Sequence, residues 1–486
     1  MNAGLQAVRT ALAGRRAWLV GGTVRDRALG RSGATADLDV VVDGDPAEAA
    51  RAVALAGRAA CFALSEDFGA WRVVARDRSW QVDVEPMRGE TLEADLALRD
   101  FTVNAIAESI DGGAPIDPLG GLADLEARRL RMAGRRAFVE DPLRVLRLVR
   151  VALELALEPD AETLRAASAV AGALAGVSAE RVFMELRRIL ASPAAVAGLQ
   201  TLGELGATAV VLPELEALRG VQQSRYHHRD VYGHTLEVLE RTIELTSAGA
   251  LAGPELGQLM GRYAPELDAL LAEPLADELT RGEALRWGAL LHDAAKPLTR
   301  EVRPADGRVT FIGHDARGAE LARAVLARLR ASERLRAHVA ALVRHHLRLG
   351  FLVHEPQPLS QRSVFGYLRA CSPVEVDVTL LSIADRLATR GDRAQESIDA
   401  HLRVASGLLA DALRWRAEGA PAPLLRGDEL AGELGIATGP RVGELLEQLA
   451  EAQYAGEVAT REQAIAYARR LLAEAGPLPA SERREA

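Results

Sequence analysis

The hydrophobic pattern of the chain changes near Pro118. Before that point, helical stretches alternate with short apolar and β-branched runs: AWLV (17–20), DLDVVV (37–42), WRVVA (71–75) and QVDVEP (81–86). Beyond it, nearly every segment has the spacing of an amphipathic helix, and no further convincing strand occurs. The pattern therefore predicts an α+β head followed by an all-α remainder.

The chain of 486 residues is long enough for two to four domains, each with its own core. Turn-forming stretches rich in Gly, Pro and Ser suggest boundaries near residues 135, 215 and 420. We therefore expect four segments, which are a head (1–135), a helical neck (136–215), a helical body (216–420) and a helical tail (421–486).

Charge and apolar content limit the class of protein. No window of about 18 apolar residues occurs, and two cysteines are too few for a disulfide framework, so we expect a soluble cytoplasmic protein without a membrane partner. The net charge of -9 argues against a general polyanion binder. The segment from Arg128 to Arg150, however, contains eight arginines and only two acidic residues, Glu140 and Asp141. This segment is either a solvated helix face or a local nucleic-acid contact.

Asp37 and Asp39 directly precede three valines on a predicted strand, so that both carboxylates point to one face. Two such charges in water repel by roughly 1 kcal/mol, and by more when partly buried. Asp83 and Glu85 repeat the spacing on another strand. Acids from two strands suit a pair of Mg²⁺ ions that bind a triphosphate and activate a hydroxyl. The alternative is a pair of solvent-facing acids on an edge strand.

Gly21 and Gly22 end the first predicted strand, where glycine lets the backbone approach a ligand and amides can bind phosphate. A Gly-Gly pair alone is more often a turn than a site. Arg25, which follows three residues after Gly22, is a suitable phosphate partner.

Six motifs, in this order, resemble one family: GGTVRD, DLDVVV, RDFTVNAIA, DPLGGLADL, EDPLRVLRLVR and SAERVFMELRRIL. The chain resembles the bacterial class II tRNA nucleotidyltransferases and poly(A) polymerases, which extend RNA 3′ ends without a nucleic-acid template. The resemblance covers residues 17 to about 200. It implies an α+β, polymerase-β-like nucleotidyltransferase head followed by an all-α neck, an HD-type body and a tail.

The resemblance also implies roles for particular side chains. Asp37 and Asp39 would hold Mg²⁺, and Asp83 would be the third catalytic acid near the primer hydroxyl. The triphosphate and ribose would be bound by the glycine turn and the RDFTVNA segment, that is, by Gly21, Gly22, Arg25, Asp26, Arg99, Asp100 and Asn104.

In EDPLRVLR, Asp141 and Pro142 are typical of a helix start, with Asp as the N-cap. In the family, such an Asp and Arg present hydrogen-bonding edges to the incoming base in place of a template. Capping and base selection can coexist in one side chain. The expected nucleotide-selecting set is Glu140, Asp141, Arg144 and Arg147.

Two positions depart from the family pattern. Leu98 stands where relatives commonly have a second Arg, and ten residues separate Arg88 from Arg99. CCA-adding relatives have a longer flexible loop there, which helps the pocket change from CTP to ATP. The short segment favours the hypothesis that this chain adds CC and leaves the terminal A to another enzyme.

The helical half contains a series of His and Asp residues that resembles the HD phosphohydrolase pattern. Imidazole and carboxylate ligands suit a divalent metal of unknown identity, which would supply hydroxide near neutral pH. Lys296, the single lysine of the chain, lies one turn after His292. A vestigial bundle without metal is the alternative. The predicted ligands are His234, His292, Asp293, His314, His345, His346 and Asp385.

Together these features predict a cytoplasmic tRNA nucleotidyltransferase that uses CTP, and they leave undecided whether it also uses ATP. They also predict an HD phosphohydrolase activity. A poly(A) polymerase is the nearest rival, and an HD hydrolase with an inactive RNA-binding head is a rival of another class. In the tail, Gly439, Pro440 and Arg441 begin a helix that is either a tRNA phosphate contact or an ordinary helix start.

Overall fold

The computed structural model describes residues 3–31, 37–65, 69–223, 228–247, 249, 256–390 and 394–474. It divides into two compact units, Met1–Val211 and Leu212–Ala486. The first contains the head and the neck, and the second contains the body and the tail.

One six-stranded sheet organises the head. Its order is β3-β4-β5-β2-β1-β6, and every neighbouring pair is antiparallel except β2 and β5, which are parallel. Valines 40, 41 and 42 are buried and fix β2 in the centre. The strands are β1 (Ala17–Val20), β2 (Asp37–Val42), β3 (Ala60–Ser65), β4 (Ala70–Val74), β5 (Gln81–Pro86) and β6 (Ala107–Ser109).

Among the described residues of the head, five helices accompany the sheet: α1 (Ala3–Leu12), α2 (Gly22–Ala28), α3 (Pro46–Gly57), α4 (Leu92–Ala97) and α5 (Gly121–Glu126). A 3₁₀ turn covers Thr102–Asn104. The start of α3 follows from its sequence, because Asp45 accepts a hydrogen bond from Ala47 N and Pro46 occupies the first turn.

The neck is helical and packs mainly through its two longest helices, α7 and α9. The carbonyls and amides of the short strands β7 (Arg129–Leu130) and β8 (Glu158–Pro159) pair in parallel. The helices are α6 (Ala137–Glu140), α7 (Arg144–Leu155), α8 (Ala161–Val170), α9 (Ala179–Ala191), α10 (Ala195–Glu204) and α11 (Thr208–Val211), with a 3₁₀ turn at Ala171–Gly176.

The second unit is a helical bundle with a separate small core in its tail. The tail core includes Leu430, Leu445 and Ala468. The helices are α12 (Pro213–Glu216), α13 (Val231–Leu245), α14 (Gly257–Met260), α15 (Ala264–Leu271), α16 (Arg281–Leu291), α17 (Lys296–Thr299), α18 (His314–Arg328), α19 (Glu333–His345), α20 (Arg348–Leu352), α21 (Gln361–Cys371), α22 (Glu375–Ala388), α23 (Ala394–Glu418), α24 (Gly427–Leu434), α25 (Pro440–Tyr454) and α26 (Arg461–Glu474), with a 3₁₀ turn at Gly261–Tyr263.

The expected fold class is confirmed, with one difference in the helical part. Besides β7 and β8, two antiparallel ladders occur beyond Pro118, formed by β9 (Pro274–Ala276) with β10 (Leu279–Thr280) and by β11 (Glu301–Val302) with β12 (Val309–Thr310). Strands of two or three residues are too short to produce a periodic pattern. Among the described residues, no helix has the length and apolar character needed to span a membrane.

Candidate active site and metal centre

The central strands of the head bring the predicted acids to one edge. In the parallel pair β2–β5, Asp39 is directly opposite Asp83, so their side chains leave the sheet on the same face. Gly21 follows β1 with φ of 66°, and a Cβ there would lie 3.4 Å from Asp39 Oδ2. The turn therefore needs glycine for its left-handed backbone, and the carboxylate of Asp39 lies within van der Waals reach of it.

A cavity of about 380 Å³ opens beside this turn. It is polar, and its lining joins side chains from β2, α2, the RDFTVNA segment and α7. Ten of the predicted residues line it: Gly21, Gly22, Arg25, Asp26, Asp37, Asp39, Arg99, Asp100, Asn104 and Arg147. Asp83, Glu140, Asp141 and Arg144 are not part of this lining.

Arg99 presents an incompletely paired guanidinium to the cavity. Its Nε and Nη2 atoms are buried and have no hydrogen-bond partner among the described residues. Its nearest acids, Asp95 and Glu85, are each 3.8 Å from Nη2, which is too long for a direct hydrogen bond. A buried donor without a partner costs stability, so the arrangement suits an anion that completes it.

Asp100 connects the RDFTVNA segment to the neck. Its Oδ2 accepts from Arg147 Nη2 at 2.7 Å, and its Oδ1 accepts from Asn104 Nδ2 at 3.0 Å. Asn104 Oδ1 in turn accepts from Arg25 at 2.5 Å. Burial alone would raise the pKa of Asp100, but Arg147 and these hydrogen bonds outweigh it and hold the pKa well below the usual range. The carboxylate is therefore ionised and fixed in orientation.

The carboxyl of Asp39 lies in an environment that needs a cation. Burial, together with the nearby Glu85 and Asp83 carboxylates, raises its pKa to about 6, although Arg99 acts in the opposite direction. The available donors are carboxylate oxygens, which are the ligands that Mg²⁺ prefers. The crowded acids thus fit a hard divalent cation.

Asp83 has a partner of its own, which the sequence pattern did not indicate. Arg72 on β4 donates from Nε to Oδ1 and from Nη2 to Oδ2, both at 2.7 Å. The residues are direct neighbours across the β4–β5 pair. This two-point contact fixes the carboxylate plane next to Asp39. The catalytic role of Asp83 stays a prediction.

The EDPLR residues are held by protein contacts at the start of α7. Arg144 donates to the carbonyl oxygens of Leu98 and Ala137 at 2.8 and 3.0 Å. Asp141 accepts from Leu143 N at 3.2 Å and from Arg181 at 2.7 Å. It is not the N-cap that the sequence predicted, because α7 begins at Arg144 after Leu143 and has no side-chain capping hydrogen bond. Glu140 is exposed.

An alternating charge series extends the cavity beyond the predicted residues. Arg150 donates to Glu185 and Glu154 at 2.5 and 2.7 Å, and Arg188 lies 2.8 Å from Glu154. Arg150, Glu154 and Arg188 line the cavity. Arg150 continues the three-residue spacing of Arg144 and Arg147, so the stripe could have been extended from the sequence. Glu185 and Arg188 of α9 could be placed beside this stripe only from the packing of the folded chain.

The candidate metal centre of the second unit collects side chains from five helix regions. His234 lies in α13, His292 and Asp293 follow α16, His314 begins α18, His346 follows α19 and Asp385 lies in α22. Two groups have ligand atoms that all lie within 4.8 Å of one another, and Asp293 belongs to both: His234–His292–Asp293 and Asp293–His314–His346. All members are buried.

Backbone carbonyls fix the tautomers of three of these histidines. The Nδ1 atoms of His292, His314 and His346 lie 2.7 to 2.8 Å from the carbonyl oxygens of the residues three positions earlier. Because a carbonyl can only accept, each Nδ1 carries a proton, and Nε2 is the ring atom that each histidine can offer to a metal.

Two of these Nε2 atoms lie close together. His314 Nε2 is 3.3 Å from His346 Nε2 and 3.4 Å from Asp293 Oδ1. Burial and the neighbouring His292 and His314 lower the pKa of His346 to about 4, so it is neutral near pH 7. Two ring nitrogens that both carry lone pairs cannot hydrogen-bond to one another, whereas both can bind one divalent cation.

The remaining members of the predicted set differ in position. Asp385 Oδ1 lies 3.1 Å from His234 Nε2, at the edge of the cluster, and Lys296 Nζ lies 2.7 Å from Asp293 Oδ2. His345 belongs to neither ligand group, and its Nδ1 accepts from Arg348. Consecutive residues of a helix point about 100° apart, so His345 and His346 do not face the same site.

Three family models match the chain. A poly(A) polymerase head domain matches residues 17–131, a probable RNA and SrmB-binding site of polymerase A matches 156–218, and an HD domain matches 259–390. The head match includes the acid and glycine positions of the cavity, and the HD match includes most of the metal cluster.

Characterised relatives align over nearly the whole chain. An A-adding tRNA nucleotidyltransferase of Deinococcus radiodurans is 39% identical and covers 93% of this chain and 94% of its own length. A CC-adding tRNA nucleotidyltransferase of Thermus thermophilus is 36% identical and covers 93% and 92%.

A solved structure supports the fold. The Bacillus stearothermophilus CCA-adding enzyme in complex with CTP aligns with a TM-score of 0.61 over 98% of this chain and 99% of its own, at 22% identity.

Proposed function

Because this chain belongs to the tRNA nucleotidyltransferase and poly(A) polymerase family, we propose that it extends tRNA 3′ ends by template-independent nucleotide addition with release of pyrophosphate. The observation that carries the proposal is the cavity in which Asp37 and Asp39 lie beside the Gly21 turn and the incompletely paired guanidinium of Arg99. The basic stretch where the head meets the neck, with Arg135 and Arg136 largely exposed, suits an RNA backbone.

In this proposal each group has a defined task. Arg99 and the amides of the Gly21 turn bind triphosphate oxygens, and Asp100 and Asn104 orient the ribose. Asp37 and Asp39 would hold Mg²⁺, which when bound would neutralise the triphosphate and favour ionisation of the attacking hydroxyl. The tRNA 3′ oxygen bonds to the α-phosphorus as the bond to pyrophosphate breaks. Asp83, held by Arg72 and opposite Asp39 in the sheet, is the proposed third acid near the attacking hydroxyl.

We further propose that the enzyme adds one kind of nucleotide, CMP. The short segment between Arg88 and Arg99 contains α4, whose Leu92 and Leu96 are buried in the head core. Buried Asp95 accepts a hydrogen bond from Arg88 N, and a Cβ on Gly89 would lie 2.6 Å from Asp95 N. A segment packed this closely is poorly suited to rearrange between CTP and ATP.

The test uses tRNA transcripts that end at the discriminator base, after one C or after CC, each with CTP, ATP or both. We expect CTP to give products ending in CC, and we expect no AMP addition to any transcript. Asp39→Ala serves as the inactive control. Products ending in CCA from this chain alone would contradict single-nucleotide addition.

Addition of A alone is the second candidate, since the Deinococcus radiodurans relative at 39% identity is an A-adding enzyme. In that case only the transcript ending in CC would be extended, and only by ATP. A poly(A) polymerase would instead extend unrelated RNAs with repeated AMP.

For the second unit we propose a metal-dependent phosphohydrolase activity. The buried cluster around Asp293 supports this activity, because its histidine Nε2 atoms are already oriented as metal ligands. The cluster would hold a divalent metal that supplies hydroxide near neutral pH. Lys296, beside Asp293, lies where it can contact a phosphate oxygen. Phosphate release from nucleotide esters measures this activity. We expect it to be lost in His292→Ala and retained in Asp39→Ala.

A further inference from the structure

Two cavities adjoin the metal cluster of the second unit. The large chamber has a volume of about 750 Å³ and the small chamber about 420 Å³. Each is within the range of ~300 to 1,000 Å³ typical of ligand sites. Both are lined by the same five residues, which form a shared wall: His346, Leu347, Asp385, Arg386 and Thr389. The cluster is therefore accessible from two compartments.

The large chamber presents apolar and aromatic surface close to cations. Phe351 is 67% exposed and Ile312 is 81% exposed, although both are large hydrophobic residues. Lys296 Nζ lies 5.4 Å from the ring centre of Phe311. Phe311 beside Lys296 and the exposed ring of Phe351 line the same chamber, and such aromatic surface suits a nucleoside, because every base can stack on it.

The small chamber is built differently, by α22 and α23 on one side and by Gly350, Val353 and His354 of the α20 region on the other. Its inner surface contains Ser382 and His401, both buried, with Ser382 Oγ 3.1 Å from His401 Nε2. Its outer part contains Glu396, Ser397 and Ala400. None of these residues is in either metal-ligand group, so the chamber is not a by-product of metal binding.

Arg386 occupies the shared wall directly after Asp385. Its Nη2 donates to Thr389 O at 3.0 Å, which fixes the side chain. Its Nε is buried and has no hydrogen-bond partner among the residues that the structure describes. A guanidinium fixed beside a metal cluster matches the non-bridging oxygen of a phosphate held between the chambers.

We propose that this site hydrolyses linear nucleoside phosphodiesters, with one nucleoside in each chamber and the phosphate at the shared wall. The inference rests on the proposed phosphohydrolase function and narrows its substrate class. A phosphomonoester or a 2′,3′-cyclic phosphate carries a single nucleoside and leaves one chamber empty. A linear diester fills both, and the second nucleoside contributes binding energy that can be used in the transition state.

The reaction consumes one water molecule and involves no oxidation or reduction. The water oxygen bonds to phosphorus, and the ester bond from phosphorus to the leaving nucleoside oxygen breaks. That oxygen receives one proton, so the products are a nucleoside monophosphate and a nucleoside.

The first test compares substrates on the full chain with Mn²⁺. We expect kcat/KM for the dinucleotide ApA to exceed that for 3′-AMP and for 2′,3′-cyclic AMP by at least about tenfold, or 1.4 kcal/mol. Equal or faster hydrolysis of either single-nucleoside substrate would overturn the inference while leaving the phosphohydrolase intact. If no substrate were hydrolysed while nucleotide addition persisted, the phosphohydrolase proposal itself would fail.

The second test changes the small chamber. Ser397→Trp should lower the ratio of kcat/KM for ApA to that for 3′-AMP at least about tenfold, because the indole would fill the position of the second nucleoside. Ala400→Phe is the companion variant in case the first does not fold. Phe351→Ala, in the large chamber, should lower activity on both substrates alike. An unchanged preference in folded Ser397→Trp and Ala400→Phe proteins would overturn the inference.

A third readout does not depend on the metal. In EDTA, isothermal titration should give tighter binding of ApA than of 3′-AMP, and Ser397→Trp should remove that difference. The Kd for CTP serves as the control for the head. Equal Kd values for ApA and 3′-AMP in the unchanged protein would contradict occupation of both chambers.

Discussion

The two candidate metal sites of this chain are built from opposite materials. In the head, the carboxylates of β2 line an open polar cavity, and Asp37 is exposed. In the second unit, imidazoles on helices converge in the interior, and His292 and His346 are almost completely buried. The first arrangement offers oxygen ligands without a closed cage, whereas the second offers a preset nitrogen-rich cluster.

This difference determines how each site responds to a cation. Oxygen ligands around an open cavity suit Mg²⁺, which keeps several waters and is completed by substrate phosphates. Neutral imidazoles with fixed tautomers suit a first-row transition metal bound by the protein alone. We therefore expect the head to bind its metal together with nucleotide, and the second unit to bind its metal as part of the folded structure.

The largest expected effect separates the two sites. Asp39→Ala should reduce nucleotide addition by about 10³-fold or more, because the charge that develops at the triphosphate loses its metal. Phosphate release by the second unit should be unchanged. His292→Ala should give the reverse result. Both activities are measured on each protein, and a parallel loss of both in either variant would contradict two independent sites.

Metal-dependent stability tests the comparison next. Mn²⁺ or Ni²⁺ at about a hundred times its Kd should stabilise the second unit by roughly 2.7 kcal/mol, whereas Mg²⁺ without nucleotide should have little effect. Differential scanning calorimetry after EDTA treatment measures this. His346→Ala should reduce the response, and His345→Ala is the matched control. A larger response of the His345 variant would show that the wrong member of the pair had been assigned.

The third effect concerns the Asp100–Arg147 pair. Arg147→Gln should lower the free energy of unfolding by about 2 kcal/mol near pH 7, because the buried carboxylate loses a charged donor. The folded-state pKa of Asp100 is depressed, so this stability is present above about pH 4 and is lost as the pH falls below it.

Urea unfolding in EDTA at several pH values tests that sign. The difference between Arg147→Gln and the unchanged protein should be largest between about pH 6 and 8 and should shrink below about pH 4. Arg136→Gln, at an exposed neck position, is the control. A difference that grew on acidification would rule out the pair as its source.

The smallest effect is expected at Arg72. Arg72→Gln should lower kcat for nucleotide addition several-fold, roughly 1 kcal/mol, because Asp83 loses its fixed orientation while its charge remains. KM for CTP should change little, since Arg72 does not line the nucleotide cavity. An effect on KM alone would indicate a nucleotide contact instead of positioning.

The sequence was sufficient for much of the fold because its signals are local. The valine run predicted β2, and Asp45 with Pro46 marked the start of α3. β3 and β6 were missed because ACFALS and AES have little β-branched character. The parallel pairing of β2 with β5 is non-local, and no pattern within either strand specifies it.

The site was predictable to the extent that residue type determines chemistry. The acids, the glycine turn and the histidine series could be recognised, but partners from distant segments could not. Arg72 faces Asp83 only through the register of β4 and β5, and Arg150 meets Glu185 only through the packing of α7 on α9. His345 and His346 are adjacent residues of the same type, so the sequence alone does not show which side chain points into the cluster. The structure does, because His346 Nδ1 bonds to a backbone carbonyl whereas His345 Nδ1 accepts from Arg348.

The single lysine of the chain makes the metal centre of the second unit chemically addressable. Every other basic side chain except histidine is arginine, and Lys296 is buried against Asp293 and Gln223. A lysine labelled with ¹⁵N at Nζ would give one side-chain resonance, free of overlap from any other lysine. That resonance would follow metal loading and substrate arrival at this site while the head remained spectroscopically silent.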